Sequence, residues 1–182
     1  MVGIGGVVGV LTSDSATLMG KGKLIHAQFE SSSLLSPVLK AYLGKKTAEA
    51  IGLTFGINLI LGSFVTITAA NMFGLGALMF ILSPFLWGFY IFPIFSHATG
   101  PLMMFGPVVI LLLEGTAYVI AFAASIDLML AMVEPGLMNE ARRIDALKKA
   151  WIYNLRSYVL VSIMLLVAAV AEVALAFSLL PT

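Results

Sequence analysis

Cysteine is absent from the chain, which excludes disulfides, thiolate metal sites and cysteine nucleophiles together. Charge is scarce as well: charged residues make up 10% of the composition, against about a quarter in soluble domains. The formal net charge is +1, too small a surplus to suggest nucleic acid or a strongly anionic ligand as a partner. The opening residues, MVGIGGVVGVLTSDSATLMG, lack both the basic n-region and the sustained apolar core of a signal peptide, so the chain is expected to be retained whole. Phosphate-binding loops, nucleophile elbows and metal spacings such as HExxH are missing too, and serines and threonines stand without a base. Neither catalysis nor a cofactor or metal site is therefore expected.

What the sequence does have is apolar surface. Hydrophobic residues account for 60% of its 182 positions, and the mean hydropathy is +1.06. A soluble fold of one domain cannot hide that much, so lipid must act as solvent. The expected fold is all-α: a polytopic membrane protein with about four transmembrane helices over 50–70, 75–95, 102–132 and 153–180. Residues 1–50 form a juxtamembrane region, and 51–182 a helical transmembrane domain.

The juxtamembrane region opens on glycines and carries lysines up to Lys45 and Lys46. Within it SLLSPVLKAYL, residues 33–43, has apolar positions at helical spacing, with Pro37 suited to a first turn and Ser36 to a cap. It reads as a short amphipathic helix on the membrane surface, or as an ordinary polar tail before the first span. Gly52 and Gly56 in the first span form a GxxxG, a pattern that permits close helix packing. A tight turn over 71–76 leads to the second span, where Pro84 should kink the helix and Trp87 and Tyr90 suit an aromatic belt. His97 in the following loop reads as a surface residue.

The third span, PLMMFGPVVILLLEGTAYVIAFAASIDLMLAM, is longer than a crossing needs. It either tilts, projects from the bilayer, or breaks near Gly106-Pro107 or Gly115 into a re-entrant segment. The linker over 133–153 carries Arg142, Arg143, Lys148 and Lys149, with Asn139 as the expected cap of a short interfacial helix.

Glu114 lies well inside the third span and Glu172 inside the fourth, where a carboxylate needs a partner, a proton or water. Counting about 1.5 Å per residue from the surface where the first span begins, Asn58, Glu114 and Glu172 all fall roughly 12–18 Å below that same surface. The three are expected to form an intramembrane polar cluster, with one carboxyl protonated. Such a cluster reads as a proton or ion site, or as a hydrogen-bonded clasp fixing helix register. Lys45, Lys46, Arg142, Arg143, Lys148 and Lys149 are the expected membrane-surface basic residues. Three spans separate the two basic regions and so put them on opposite faces, whereas the positive-inside rule would hold both in the cytoplasm; the shorter, more basic linker is the better guide and is placed there.

Three pieces of the chain resemble the stage II sporulation protein M family. FGINLILGSF (residues 55–64) is similar to its Asn-bearing helix, GPVVILLLEGTAYVIAFAAS (106–125) to its helix with a central Glu, and VAAVAEVALAF (167–177) to its terminal Glu-containing helix. The resemblance covers about residues 51–180 and falls on Asn58, Glu114 and Glu172. It departs where the family has Pro-His-Gly before the central Glu, since residues 103–107 read MMFGP here, and where the family's first membrane helix is replaced by the glycine- and lysine-containing tail. The resemblance implies a membrane scaffold, as its sporulation member holds cell-wall hydrolases at a septum. The expected role is a noncatalytic scaffold or accessory subunit of a larger complex in the cell membrane, with the bilayer and other membrane subunits as partners, room for a homo-oligomer, and no nucleic acid. The competing expectation is a small proton-coupled transporter or channel using Glu114 and Glu172.

Overall fold

The structure, a computed structural model, describes residues 32–33, 36–82 and 101–179, with side chains from residue 105 onward in the last stretch. Among these residues every regular element is a helix. A short helix α1 (Ser36–Leu43) precedes three long ones: α2 (Thr47–Met72), α3 (Pro101–Val133) and α4 (Arg143–Leu179). All three are long and apolar enough to cross a bilayer, so the chain is an all-α membrane protein. Residues 76–82 begin a further helical stretch where the second span was expected. The rest of that span lies outside the described residues, with Pro84, Trp87, Tyr90 and His97.

Three helical segments stop in the same way. After α1, Lys45 N–H donates to the Tyr42 carbonyl and Lys46 N–H to that of Ala41. After α2, Gly74 N–H reaches Asn71 O and Leu75 N–H reaches Ala70 O. After a 3₁₀ turn over Pro135–Met138, Asn139 N–H reaches Gly136 O and Glu140 N–H reaches Pro135 O. In each case the residue at the stop is left-handed, with φ of 51° at Lys45, 75° at Gly74 and 58° at Asn139. The paired bonds satisfy carbonyls that a helix end leaves open. The tight turn expected at 71–76 has a second cause in Gly76, where a Cβ would sit 2.3 Å from that of Asn71.

Two expectations about the later helices need correcting. α3 is not broken at Gly106-Pro107 or Gly115; it runs 33 residues with Pro107 inside it. Pro107 removes one rung near the start of a long ladder, and a helical glycine costs only about 1 kcal/mol, too little to end a helix buried in apolar surroundings. The linker helix is not a separate interfacial element either. Asn139 closes the 3₁₀ turn instead of capping a helix, and α4 begins at Arg143 and continues through the fourth span without interruption.

α2 holds a feature that no hydrophobic pattern signalled. From Asn58 to Ala69 it is a π-helix of 12 residues. Ala70 N–H bonds the Val65 carbonyl five residues back, and Thr66 Oγ1 donates to Leu61 O at the same separation, where Thr116 in α3 reaches four back to Leu112 O. π-Helices are usually single-turn bulges.

The chain divides into two compact units, and each long helix contributes to both. In the first (residues 1–54, 81–110 and 169–182), Ala41, Ala50 and Val173 form a small core with Tyr42, Ile51, Leu53 and Phe177. The second (55–80 and 111–168) has two apolar layers. One is built from Ile67, Ala117, Ala121, Val161 and Leu165. The other joins Leu128 and Ala131 of α3 to Ala146 and Ala150 of α4. The alanines let the helix backbones approach closely, the usual basis of helix association in lipid.

Candidate functional site

The second unit contains a seam of polar contacts between its helices. At one end, Asn58 Nδ2 donates to Glu114 Oε1 at 2.7 Å. At the other, Asn71 Nδ2 donates to Ser125 Oγ at 2.9 Å, and Ser125 Oγ passes its own proton to Phe122 O. Between them Ser63 Oγ donates to the Tyr158 hydroxyl at 3.0 Å, and Thr68 Oγ1 shares a 2.8 Å bond with that same hydroxyl. Ser63, Thr68, Asn71 and Ser125 are buried. A hydroxyl has one proton and two lone pairs, so Tyr158 can accept from Ser63 and still share a bond with Thr68 in which either oxygen donates.

The π register is what makes this seam possible. Asn58, Ser63 and Thr68 are spaced by five residues. On an α-helix such positions diverge by about 140°, so Ser63 and Thr68 would not reach one hydroxyl. With five-residue bonds they share a face. The two end pairs report the same shortening: 13 residues of α2 (58 to 71) span the interval covered by 11 of α3 (114 to 125). The pairs also run in one sense, so α2 and α3 are parallel within this unit, matching an order in which another span separates them.

Gly62, inside the π segment, is required by proximity. A Cβ there would lie 2.8 Å from the Tyr118 hydroxyl. Tyr118 sits one turn beyond Glu114, so its ring covers the segment next to the Asn58 bond.

Of the three residues expected to cluster, the structure joins two. Glu172 belongs to the first unit, where the Tyr42 side chain hydrogen-bonds it and Tyr42 in turn bonds Thr54 Oγ1 at 3.1 Å. Counting residues along a span could not say which neighbour Glu172 would meet. Among the described residues, a Cβ on Gly52 or Gly56 would meet nothing within 4 Å. The spacing permits close approach without requiring a neighbour. Among the described residues, close apolar helix contact in the second unit is carried by Ala117, Ala121, Ala146 and Ala150.

The basic residues have distinct situations. Lys46 pairs with Glu49 at 3.0 Å and Arg142 with Asp145 at 2.7 Å, both i,i+3. Exposed pairs of this kind contribute at most about 1 kcal/mol. Lys149 donates to Met138 O at 2.9 Å and approaches Glu140 at 3.5 Å, tying the 3₁₀ turn to α4. Lys45 ends α1, and Arg143 and Lys148 are exposed. Among the described residues no three His, Asp or Glu side chains converge as metal ligands would. The first unit also has an open, almost wholly apolar groove of about 440 Å³, lined by residues 105–110 of α3 and 171–178 of α4.

Sequence reasoning missed Ser63, Thr68, Tyr158, Asn71 and Ser125. The five-residue recurrence of polar side chains from Asn58 was the available signal. It also missed Asn154, fully buried in α4, whose two side-chain polar atoms have no hydrogen-bond partner among the described residues.

The fold and seam define an all-α integral membrane protein whose intramembrane polar side chains bond helix to helix. Comparison with known proteins returns nothing further: no family model matches the chain, and neither a curated protein nor a solved structure is significantly similar to it.

Proposed function

We propose that this protein is a noncatalytic helical subunit of a larger assembly in the cell membrane, acting as scaffold or accessory component. The observation that carries this reading is the Asn58–Glu114 bond at 2.7 Å. The most costly side chain of the third span is engaged in holding two helices together. The Tyr158 and Ser125 bonds serve the same purpose further along, which suits a rigid framework. The exposed apolar side chains of the long helices, Ile60, Leu112, Val119, Val159 and Ile163 among them, are available to lipid and to other membrane subunits or a second copy. The resemblance to stage II sporulation protein M relatives points the same way, toward a scaffold.

Native purification followed by mass spectrometry tests this. A scaffold retains stoichiometric membrane partners, and Glu114→Gln, which keeps an acceptor for Asn58, leaves the assembly intact. Purification as a lone chain, with proton or solute flux in liposomes that Glu114→Gln abolishes, would overturn it.

One observation favours a second reading. Glu172 accepts from a hydroxyl relay, Thr54 to Tyr42 to the carboxylate, a chemistry able to hand on a proton. A small proton-coupled transporter or channel using Glu172 and Glu114 predicts flux that Glu172→Gln and Tyr42→Phe both reduce. A scaffold has no such flux to lose.

A further inference from the structure

Asn154 is 0% exposed, and neither its Nδ2 nor its Oδ1 finds a hydrogen-bond partner among the described residues. It is the single buried side chain so left among them. Ser63, Thr68, Asn71 and Ser125, equally buried, are all bonded. Burying an amide with neither end bonded is among the costlier things a fold can do, more so in a low-dielectric surrounding.

The packing fixes the level at which Asn154 lies. α3 and α4 run antiparallel in the second unit, since Ala117 and Ala121 share a layer with Val161 and Leu165, while Leu128 and Ala131 share the next with Ala146 and Ala150. Between these layers α3 contributes Ser125 and α4 contributes Asn154. Ser125 Oγ is already held, accepting from Asn71 and donating to Phe122 O, and a hydroxyl oxygen has a second lone pair to offer. Asn154 therefore stands at the level of the Asn71–Ser125 pair, between the two apolar clusters along α3 and α4.

The chemistry of the amide selects its ligand. Nδ2 needs an acceptor and Oδ1 needs a donor. A metal cation satisfies only Oδ1, an anion only Nδ2, and an acyl chain neither. Water both donates and accepts, and ordered internal water typically bonds such otherwise unsatisfied groups. We propose that the second unit holds an internal water site on Asn154, one or two molecules bonded to its amide and to the free lone pair of Ser125. Apolar clusters lie along the helices on either side of this level, so the water is expected to exchange slowly. This goes beyond the scaffold reading and is independent of it: internal water fixes helix register in either a scaffold or a transporter.

The full chain in lipid bicelles, labelled with ¹⁵N-asparagine, tests the site directly. It has four asparagines, 58, 71, 139 and 154, and Asn154→Ser assigns the side-chain signal by its loss. The expected result is a cross-relaxation peak between the Asn154 side-chain amide protons and water, with the sign of a long-lived contact. Exposed Asn139 is the control and shows only rapid exchange. Absence of an Asn154–water peak while Asn139 exchanges normally overturns the proposal. Thermal unfolding gives a second readout through Asn154→Leu. A dry, unpartnered amide would be relieved by that change and the melting temperature would rise, which also overturns the site. A hydrated amide loses satisfied bonds, so the melting temperature stays level or falls.

Discussion

Removing the Tyr158 hydroxyl is the sharpest perturbation of the seam. Tyr158→Phe keeps the ring that packs 6.1 Å from Phe64 but deprives Ser63 and Thr68 of their shared partner at 3.0 and 2.8 Å. Both are fully buried, so neither can turn to water. A net hydrogen bond contributes about 0.5–1.5 kcal/mol, and interhelical bonds in membranes average about 0.6 kcal/mol, so two lost bonds come to about 1–3 kcal/mol. The lower end applies if the hydroxyls retreat to carbonyls of their own helix. The π register should loosen as well, because its shared-face geometry is no longer rewarded. Reversible unfolding in bicelles measures the stability, and amide exchange over 58–69 reports the register. In the Tyr158→Phe background, adding Ser63→Ala with Thr68→Val should cost much less than in the native chain, because no partner remains to be stranded. A loss below about 0.5 kcal/mol for Tyr158→Phe, or strict additivity in the cycle, would refute the reasoning.

Other expectations follow from single positions. Lys45→Gly should raise stability by about 1 kcal/mol, because a left-handed residue with a Cβ is disfavoured and glycine is not; chemical unfolding of the two chains decides it. Gly76→Ala should lower stability by about 1–3 kcal/mol or prevent folding, since the new methyl meets Asn71 and one side must shift; a neutral result would mean that the turn at 73–75 is not held as described. Gly52→Ala and Gly56→Ala, with no described neighbour within 4 Å of either Cβ position, should each raise stability by about 0.5–1 kcal/mol from helix propensity alone. A loss of stability or a change in oligomeric state would instead place a second chain on that face. Glu114→Gln should be tolerated within about 1 kcal/mol, whereas Glu114→Leu strands the Asn58 amide and should cost about 1–3 kcal/mol; the gap between the two variants is the measurement.

Much of this protein was legible in its residues. Apolar runs longer than a bilayer crossing dictated a helical membrane protein, because lipid leaves a backbone no partner outside its own helix. Counting rise per residue brought Asn58 and Glu114 to one depth, and they are bonded. Pro37 and the apolar spacing behind it marked α1, although Ser36, expected as its cap, already lies within the helix, its N–H bonded to Ser32 O. The same counting put Glu172 at that depth, yet its partner is Tyr42. Depth follows from position along a helix, while direction around it depends on register and on which neighbour packs there. That is why the π segment mattered: at five residues per bond Ser63 and Thr68 share one hydroxyl, and no periodicity of 3.6 could bring them there. It is also why alanines carry the close packing among the described residues, and why Asn154, one polar residue among many near the start of a span, is distinguished only by what surrounds it. Apolar composition dictated the solvent and the helices; which polar groups meet was left to packing, because azimuth is set between helices and not along them.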